Sequence, residues 1–138
     1  MPHVKIMINS VWGTKNRYPF LKGDVKSKII SHIRENAIQK GIFIDTINGH
    51  HDHLHCLFEL KPTMCVSDAL QLLKGESSRW MNLNKIIPLK FEWAVDFYAV
   101  SASKSDLPRI RSYINNQEAH HSKITFQDEY DGFIREYF

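Results

Sequence analysis

The chain has 138 residues, 43% hydrophobic and 24% charged, with a formal net charge of +3, which is enough to bury one core without disulfides or structural metal. Cys56 and Cys65 are too few for a secreted disulfide framework, and no apolar run approaches the roughly 20 residues of a membrane span. A single domain over residues 1–138 is expected, in a reducing cytoplasm, with no membrane association and no small-molecule cofactor; the modest positive charge permits a nucleic-acid partner without requiring one.

Residues 3–12 alternate apolar and polar side chains, with Val4, Ile6 and Ile8 on one side, and read as a strand. The polar loop GTKNRYPFLKG follows. Asp24 stands as N-cap of a helix ending near Lys40, with Gly41 as stop signal and Val25, Ile29, Ile33 and Ala37 repeating at helical spacing. IFIDTI, residues 42–47, reads as a strand, and Asn48-Gly49 as a tight turn into HLHCLFEL, a second strand ended by Pro62. A helix spans Ser67 to about Asn82, with Val66, Leu70, Leu73 and Trp80 as buried positions and Gly75 as a weak point. FEWAVDFYAVSAS, residues 91–103, has the aromatic and β-branched bias of a fourth strand. A last long helix starts at Leu107-Pro108 and carries RIRSYINNQEAHH. The order predicts an α+β fold. Its ferredoxin-like or RRM-like β-α-β-β-α-β core has a four-stranded, mainly antiparallel sheet with helices on one face, and an added C-terminal helix carries Tyr113.

Chemistry concentrates in two places. Four of the eight histidines, His50, His51, His53 and His55, lie within six positions. Strand alternation puts His53, His55 and Leu57 on one face, and Leu54, Cys56, Phe58 and Leu60 on the other. Two imidazoles at i and i+2 stand roughly 6 to 7 Å apart, close enough to share a metal ion. A bare His-x-His is more often just a polar strand face, and His50 and His51 read as solvated turn residues. Cys56 points away from the pair, which argues against zinc held by cysteine and histidine. The last helix gives the pair a partner. Tyr113 and Gln117 share a helix face at i and i+4, and His120 and His121 extend it. A phenol can act as nucleophile on a phosphodiester, and an amide oxygen can be the third ligand of a divalent ion. Mixed nitrogen and oxygen donors without thiolate suit Mg2+ or Mn2+. Basic residues crowd the early chain (Lys15, Arg17, Lys22, Lys26, Lys28) and flank the last helix (Lys104, Arg109, Arg111, Lys123), while acids gather near the C-terminus in Asp128, Glu129, Asp131 and Glu136.

His53-Leu54-His55 resembles the HUH motif, histidine, bulky hydrophobic, histidine. SYINNQEAHH resembles its partner motif in the single-tyrosine transposases of the insertion-sequence 200/605 family. VWGTKNRYPFL, LLKGESSRWMN, FEWAVDFYAVSAS and TFQDEY are similar to family segments in the same order, so the resemblance runs over nearly the whole chain. It departs at Asp96, where small residues are common, and at His51, where proline is frequent. The resemblance implies that Tyr113 is the nucleophile and that His53, His55 and Gln117 hold a catalytic Mg2+ or Mn2+. It implies a homodimer whose active site can be shared between subunits. The partner would be single-stranded DNA with subterminal hairpins, cleaved and rejoined through a 5′-phosphotyrosine to mobilise an insertion sequence. Lys15, Arg17, Lys74 and Arg79 then become candidate DNA contacts. Two alternatives stand beside it. One is a domesticated nuclease of the same chemistry that processes chromosomal repeats. The other is a non-catalytic RRM-like module stacking single-stranded bases on Trp93, Phe97 or Tyr98.

Overall fold

The computed structural model describes residues 2–138. The order is β1 (Met7–Gly13), α1 (Val25–Gln39), β2 (Phe43–His50), β3 (His53–Glu59), α2 (Val66–Leu83), β4 (Tyr98–Ala102), α3 (Leu107–Asn115), α4 (Gln117–His121) and α5 (Phe126–Tyr137). The strands form one sheet in the order β2-β3-β1-β4, and every neighbouring pair is antiparallel. This is the expected α+β architecture.

Both faces of the sheet are covered, where helices on one face were expected. Ile29, Ile33 and Ala37 of α1 and Leu70, Leu73 and Met81 of α2 pack on Trp12, Leu54, Cys56 and Phe58. The other face of the same strands, Met7 and Leu57, receives Leu107, Ile110 and Ile114 of α3. Val11 and Tyr98 pack with Phe126 of α5. β3 is therefore buried on both sides from His53 to Phe58. Each large side chain so buried contributes about 1.5–3 kcal/mol.

The boundaries differ from the sequence reading for identifiable reasons. β1 begins only at Met7, because Val4 and Ile6 remain exposed. Asp24 occupies the N-cap position of α1, yet its side chain caps no backbone N–H and instead pairs with Lys28 at 3.3 Å. Gly41 ends that helix as expected, with φ of 71° in the left-handed region glycine tolerates best. Asn48-Gly49 is not the turn: β2 runs through it, and His50 pairs with His53 across a turn at His51-Asp52. Asn48 uses its amide to donate to the Ile114 carbonyl at 3.1 Å, and a Cβ on Gly49 would collide with the His53 carbonyl. α2 runs unbroken across Gly75. β4 covers only five residues of the expected stretch. Phe91 and Trp93 enter the core from a loop, where the Trp93 indole N–H donates to Ser77 Oγ at 3.0 Å. The final helix breaks at Asn116, whose φ of −102° and ψ of 22° separate α3 from α4. α5 follows unexpectedly, its N-cap Thr125 accepting from the Asp128 N–H at 3.1 Å.

Candidate active site

Three C-terminal helices are locked against the histidine face of β3. A bulge between Ile44 and Thr46 frees Asp45, whose carboxylate accepts two hydrogen bonds of 2.8 Å from Arg111 of α3. Asn48 holds the end of α3, and Lys26 of α1 pairs with Glu118 of α4 at 2.6 Å. Phe126 of α5 lies parallel to the His53 ring at a centroid distance of 4.1 Å, with the Arg17 guanidinium over it at 5.1 Å. Gly13 permits this approach: a Cβ there would sit 2.7 Å from Phe126 Cε2.

The result is a buried polar cluster in an otherwise apolar face. His53, His55 and Gln117 come together as the sequence predicted, and all are fully buried or nearly so, at 0%, 1% and 0% exposure. His53 Nε2 lies 3.0 Å from Gln117 Oε1. Asp52, in the hairpin turn, accepts from His53 Nδ1 at 2.8 Å. Tyr113 points its hydroxyl into the same cluster, 2.9 Å from His120 Nε2, and donates to Glu129 Oε2. Glu129 is the residue that sequence reasoning missed. Its other oxygen, Oε1, stands 3.2 Å from His53 Nε2, 3.0 Å from His55 Nε2 and 3.1 Å from His121 Nε2. The ligand atoms of His53, His55, His121 and Glu129 lie within 4.8 Å of one another, a spacing one metal ion can span.

Burial and charge pull these groups in opposite directions. Burial pushes His55 down to about 4, outweighing the carboxylate of Glu129 beside it. Burial acts downward on His53 too, but hydrogen bonds to Asp52 and Glu129 prevail and raise it. For Glu129, burial favours the neutral acid, yet the close approach of the His121, His53 and His55 rings holds the carboxyl well below its usual range. Burial and then the Glu129 carboxylate drive the Tyr113 phenol well above its ordinary value. A phenol so placed keeps its proton until another group takes it.

The remaining predicted residues are scattered. Lys15 pairs with Glu92 at 2.7 Å, and Arg17 stacks on Phe126 at the rim of the cluster. Lys74 is committed to the loop before β4, donating to the Ala94 carbonyl at 2.8 Å and that of Val95 at 3.2 Å. Arg79 lines a cavity of about 630 Å3 with Lys40, Met64 and Gln71, beside α2 and away from the histidines. A smaller cleft of about 460 Å3 opens beside the cluster, bordered by His50, His51, Asp52, His121 and Thr125. His50 stacks on both His51 and His121, at 4.0 and 5.2 Å, and stays outside the group of metal-capable side chains. Trp93 and Tyr98 are buried, at 9% and 2% exposure, and offer no face for stacking a base, whereas Phe97 stays exposed with the Lys74 ammonium over its ring at 5.8 Å. No helix among the described residues is long and apolar enough to cross a membrane.

The family model Transposase IS200 like matches residues 3–117, most of the chain, and the chain belongs to that family of transposases. Membership implies a DNA-cleaving enzyme. The chain is 27% identical over 112 residues to ISDra2 transposase TnpA of Deinococcus radiodurans, covering 78% of this chain and 80% of that protein. It is 29% identical over 113 residues to the transposase for insertion sequence element IS200 of Salmonella typhimurium, covering 78% and 73%. A crystal structure from Deinococcus radiodurans R1, assigned as a transposase, superposes with a TM-score of 0.68 at 25% identity, over 84% of this chain and 93% of that one. A REP-associated tyrosine transposase bound to a REP hairpin shares the fold, with a TM-score of 0.66 at 15% identity over 90% and 73%.

Proposed function

We propose that the protein cleaves and rejoins single-stranded DNA to mobilise an insertion sequence, using Tyr113 as nucleophile beside a divalent ion, Mg2+ or Mn2+, held by His53, His55 and Gln117. The observation that carries this reading is the meeting of the half-buried Tyr113 hydroxyl with Glu129 in one cluster with both histidines and Gln117, although the phenol lies some sixty residues from the histidines in the chain. The ion fits these side chains because their donors are imidazole nitrogens and a carbonyl oxygen with no hydrogens to offer it. Its chemistry is to polarise a non-bridging phosphate oxygen and offset the charge that develops there.

The chain's own groups do the rest. The Tyr113 oxygen attacks phosphorus, a 5′-phosphotyrosine bond forms, and the bond to the 3′ oxygen breaks to leave a free 3′-OH. Glu129 Oε2 accepts the phenolic hydrogen and orients the Tyr113 oxygen for attack; the phenolic proton passes to water in the cleft, and the departing 3′ oxygen takes one from water in return. The linkage conserves bond energy, so a second 3′-OH can reverse the step and join a new strand. The cleft beside His121 and Thr125 provides the approach for the strand, with Arg17 at its rim. Binding of a REP hairpin by the structurally similar tyrosine transposase supports hairpin recognition by this chain. A homodimer is proposed with it, in which α3 and α4 serve their own sheet or the partner's.

Incubation with single-stranded DNA carrying the element's end, in Mg2+ or Mn2+, tests the reading. A covalent protein–DNA band is expected from the wild type and none from Tyr113→Phe, with DNA binding retained. A band that persists in Tyr113→Phe refutes the nucleophile assignment.

A further inference from the structure

His53, His55 and Gln117 account for three ligands, yet two more side chains aim donor atoms at the same point. His121 Nε2 lies 3.1 Å from Gln117 Oε1 and 3.1 Å from Glu129 Oε1. Glu129 Oε1 in turn lies 3.2 Å from His53 Nε2 and 3.0 Å from His55 Nε2.

Hydrogen bonding between neutral groups does not explain this convergence. His121 Nδ1 lies 2.9 Å from the Ile124 carbonyl, which accepts only, so this ring carries a hydrogen on Nδ1. A neutral ring that donates at Nδ1 presents a bare lone pair at Nε2. Here that lone pair faces an amide oxygen and a carboxylate oxygen, neither of which can donate. His53 repeats the pattern: Nδ1 lies 2.8 Å from the Asp52 carboxylate, and Nε2 faces Gln117 Oε1 at 3.0 Å and Glu129 Oε1 at 3.2 Å. A single dication placed among these atoms satisfies all the lone pairs at once. Imidazoles that bind metals characteristically donate their other N–H to a carboxylate or a backbone carbonyl, the two partners that Asp52 and Ile124 provide. Donors about 2.0–2.1 Å from an ion in octahedral arrangement stand about 3 Å from their neighbours, which matches the separations of 3.0–3.2 Å here.

We propose that His121 and Glu129 are metal ligands which, with His53, His55 and Gln117, make a five-donor site selective for a transition dication such as Mn2+ over Mg2+. The proposal rests on the metal-dependent reading above and goes beyond its three ligands. Three imidazoles in the set disfavour Mg2+, which dehydrates reluctantly and keeps to oxygen donors and water, relative to a first-row transition dication. Glu129 then links two tasks, with Oε1 at the ion and Oε2 on the Tyr113 hydroxyl.

Mn2+ binding to the full chain, followed by electron paramagnetic resonance and by calorimetry, tests it without any DNA. One bound Mn2+ is expected, resistant to a large excess of Mg2+. His121→Ala and Glu129→Gln should each weaken Mn2+ binding by roughly tenfold to hundredfold or more. Pulsed resonance on the Mn2+-loaded wild type gives a count that needs no variant to fold: three coupled imidazoles are expected, from His53, His55 and His121. Two imidazoles, or wild-type affinity in both variants while His53→Ala and His55→Ala lose binding, overturns the five-donor site and leaves the three-ligand reading intact. Unchanged Mn2+ binding in His53→Ala and His55→Ala overturns both. Ready displacement of Mn2+ by Mg2+ overturns the selectivity.

Discussion

The two faces of the sheet share the same strands and do opposite work. Toward α1 and α2, β3 presents Leu54, Cys56 and Phe58, all at 0% exposure, to an apolar layer. Toward α3, α4 and α5 it presents His53 and His55, equally buried, to Gln117, His121, Glu129 and Tyr113. Depth is the same on both sides and chemistry is not. The first face stabilises by removing carbon from water. On the second, each polar group is tolerated only because another faces it. The buried polar side follows the apolar side's geometry: the alternation that sends Leu54 and Cys56 one way sends the imidazoles the other.

Substitutions can separate the two roles. The largest effect is expected from His55→Ala, which should lower DNA cleavage by about 10²- to 10³-fold while moving the urea midpoint less than Phe58→Ala does. If His55→Ala proved the more destabilising of the two, the histidine face would be part of the structural core after all. Phe58→Ala should cost about 3–5 kcal/mol through lost burial and the cavity left behind, measured by the same denaturation. Next comes Gly13→Ala. Its Cβ would meet Phe126 Cε2 at 2.7 Å, between the His53 ring and Arg17. Overpacking of about 1–3 kcal/mol is expected, together with reduced cleavage as α5 carries Glu129 outward. A crystal structure of the variant with Phe126 unmoved would contradict this. The smallest effect belongs to Asp45→Asn, at the link between β2 and α3. The Arg111 hydrogen bonds hold the Asp45 carboxyl below its ordinary value of 3.8. A depressed folded pKa stabilises fully above that value and is lost as pH falls through the lower one. Asp45→Asn should therefore show a slightly lower midpoint at pH 7, and the gap to wild type should close below about pH 4. A gap that persists there assigns the effect to packing.

The sheet and the division of β3 into two faces were legible because period-two alternation survives in HLHCLFEL. Tyr113 and Gln117 were legible from helical spacing, although the helix breaks between them at Asn116. Other features answered to contacts that local pattern does not encode. Asn48-Gly49 looked like a turn, but its amide and its missing Cβ serve α3 and β3. Phe91 and Trp93 have strand-like side chains, yet they reach the core from a loop. Glu129 read as one acid among several because the histidines it meets lie on β3, more than seventy positions away. Its helix did carry a signal, since Phe126, Glu129, Tyr130 and Phe133 follow a helical face after a threonine cap.

The double burial of β3 also bears on how this chain can drift. An ordinary half-exposed strand offers every second position to neutral change, and β4, with only Tyr98 fully buried, is such a strand. From His53 to Phe58 there is no free position. In a library of random substitutions that six-residue run should stand out as a continuous gap, Leu54, Cys56, Leu57 and Phe58 emptied by loss of folding and His53 and His55 by loss of transposition. Selection for folding alone should reopen His53 and His55 before it reopens the rest.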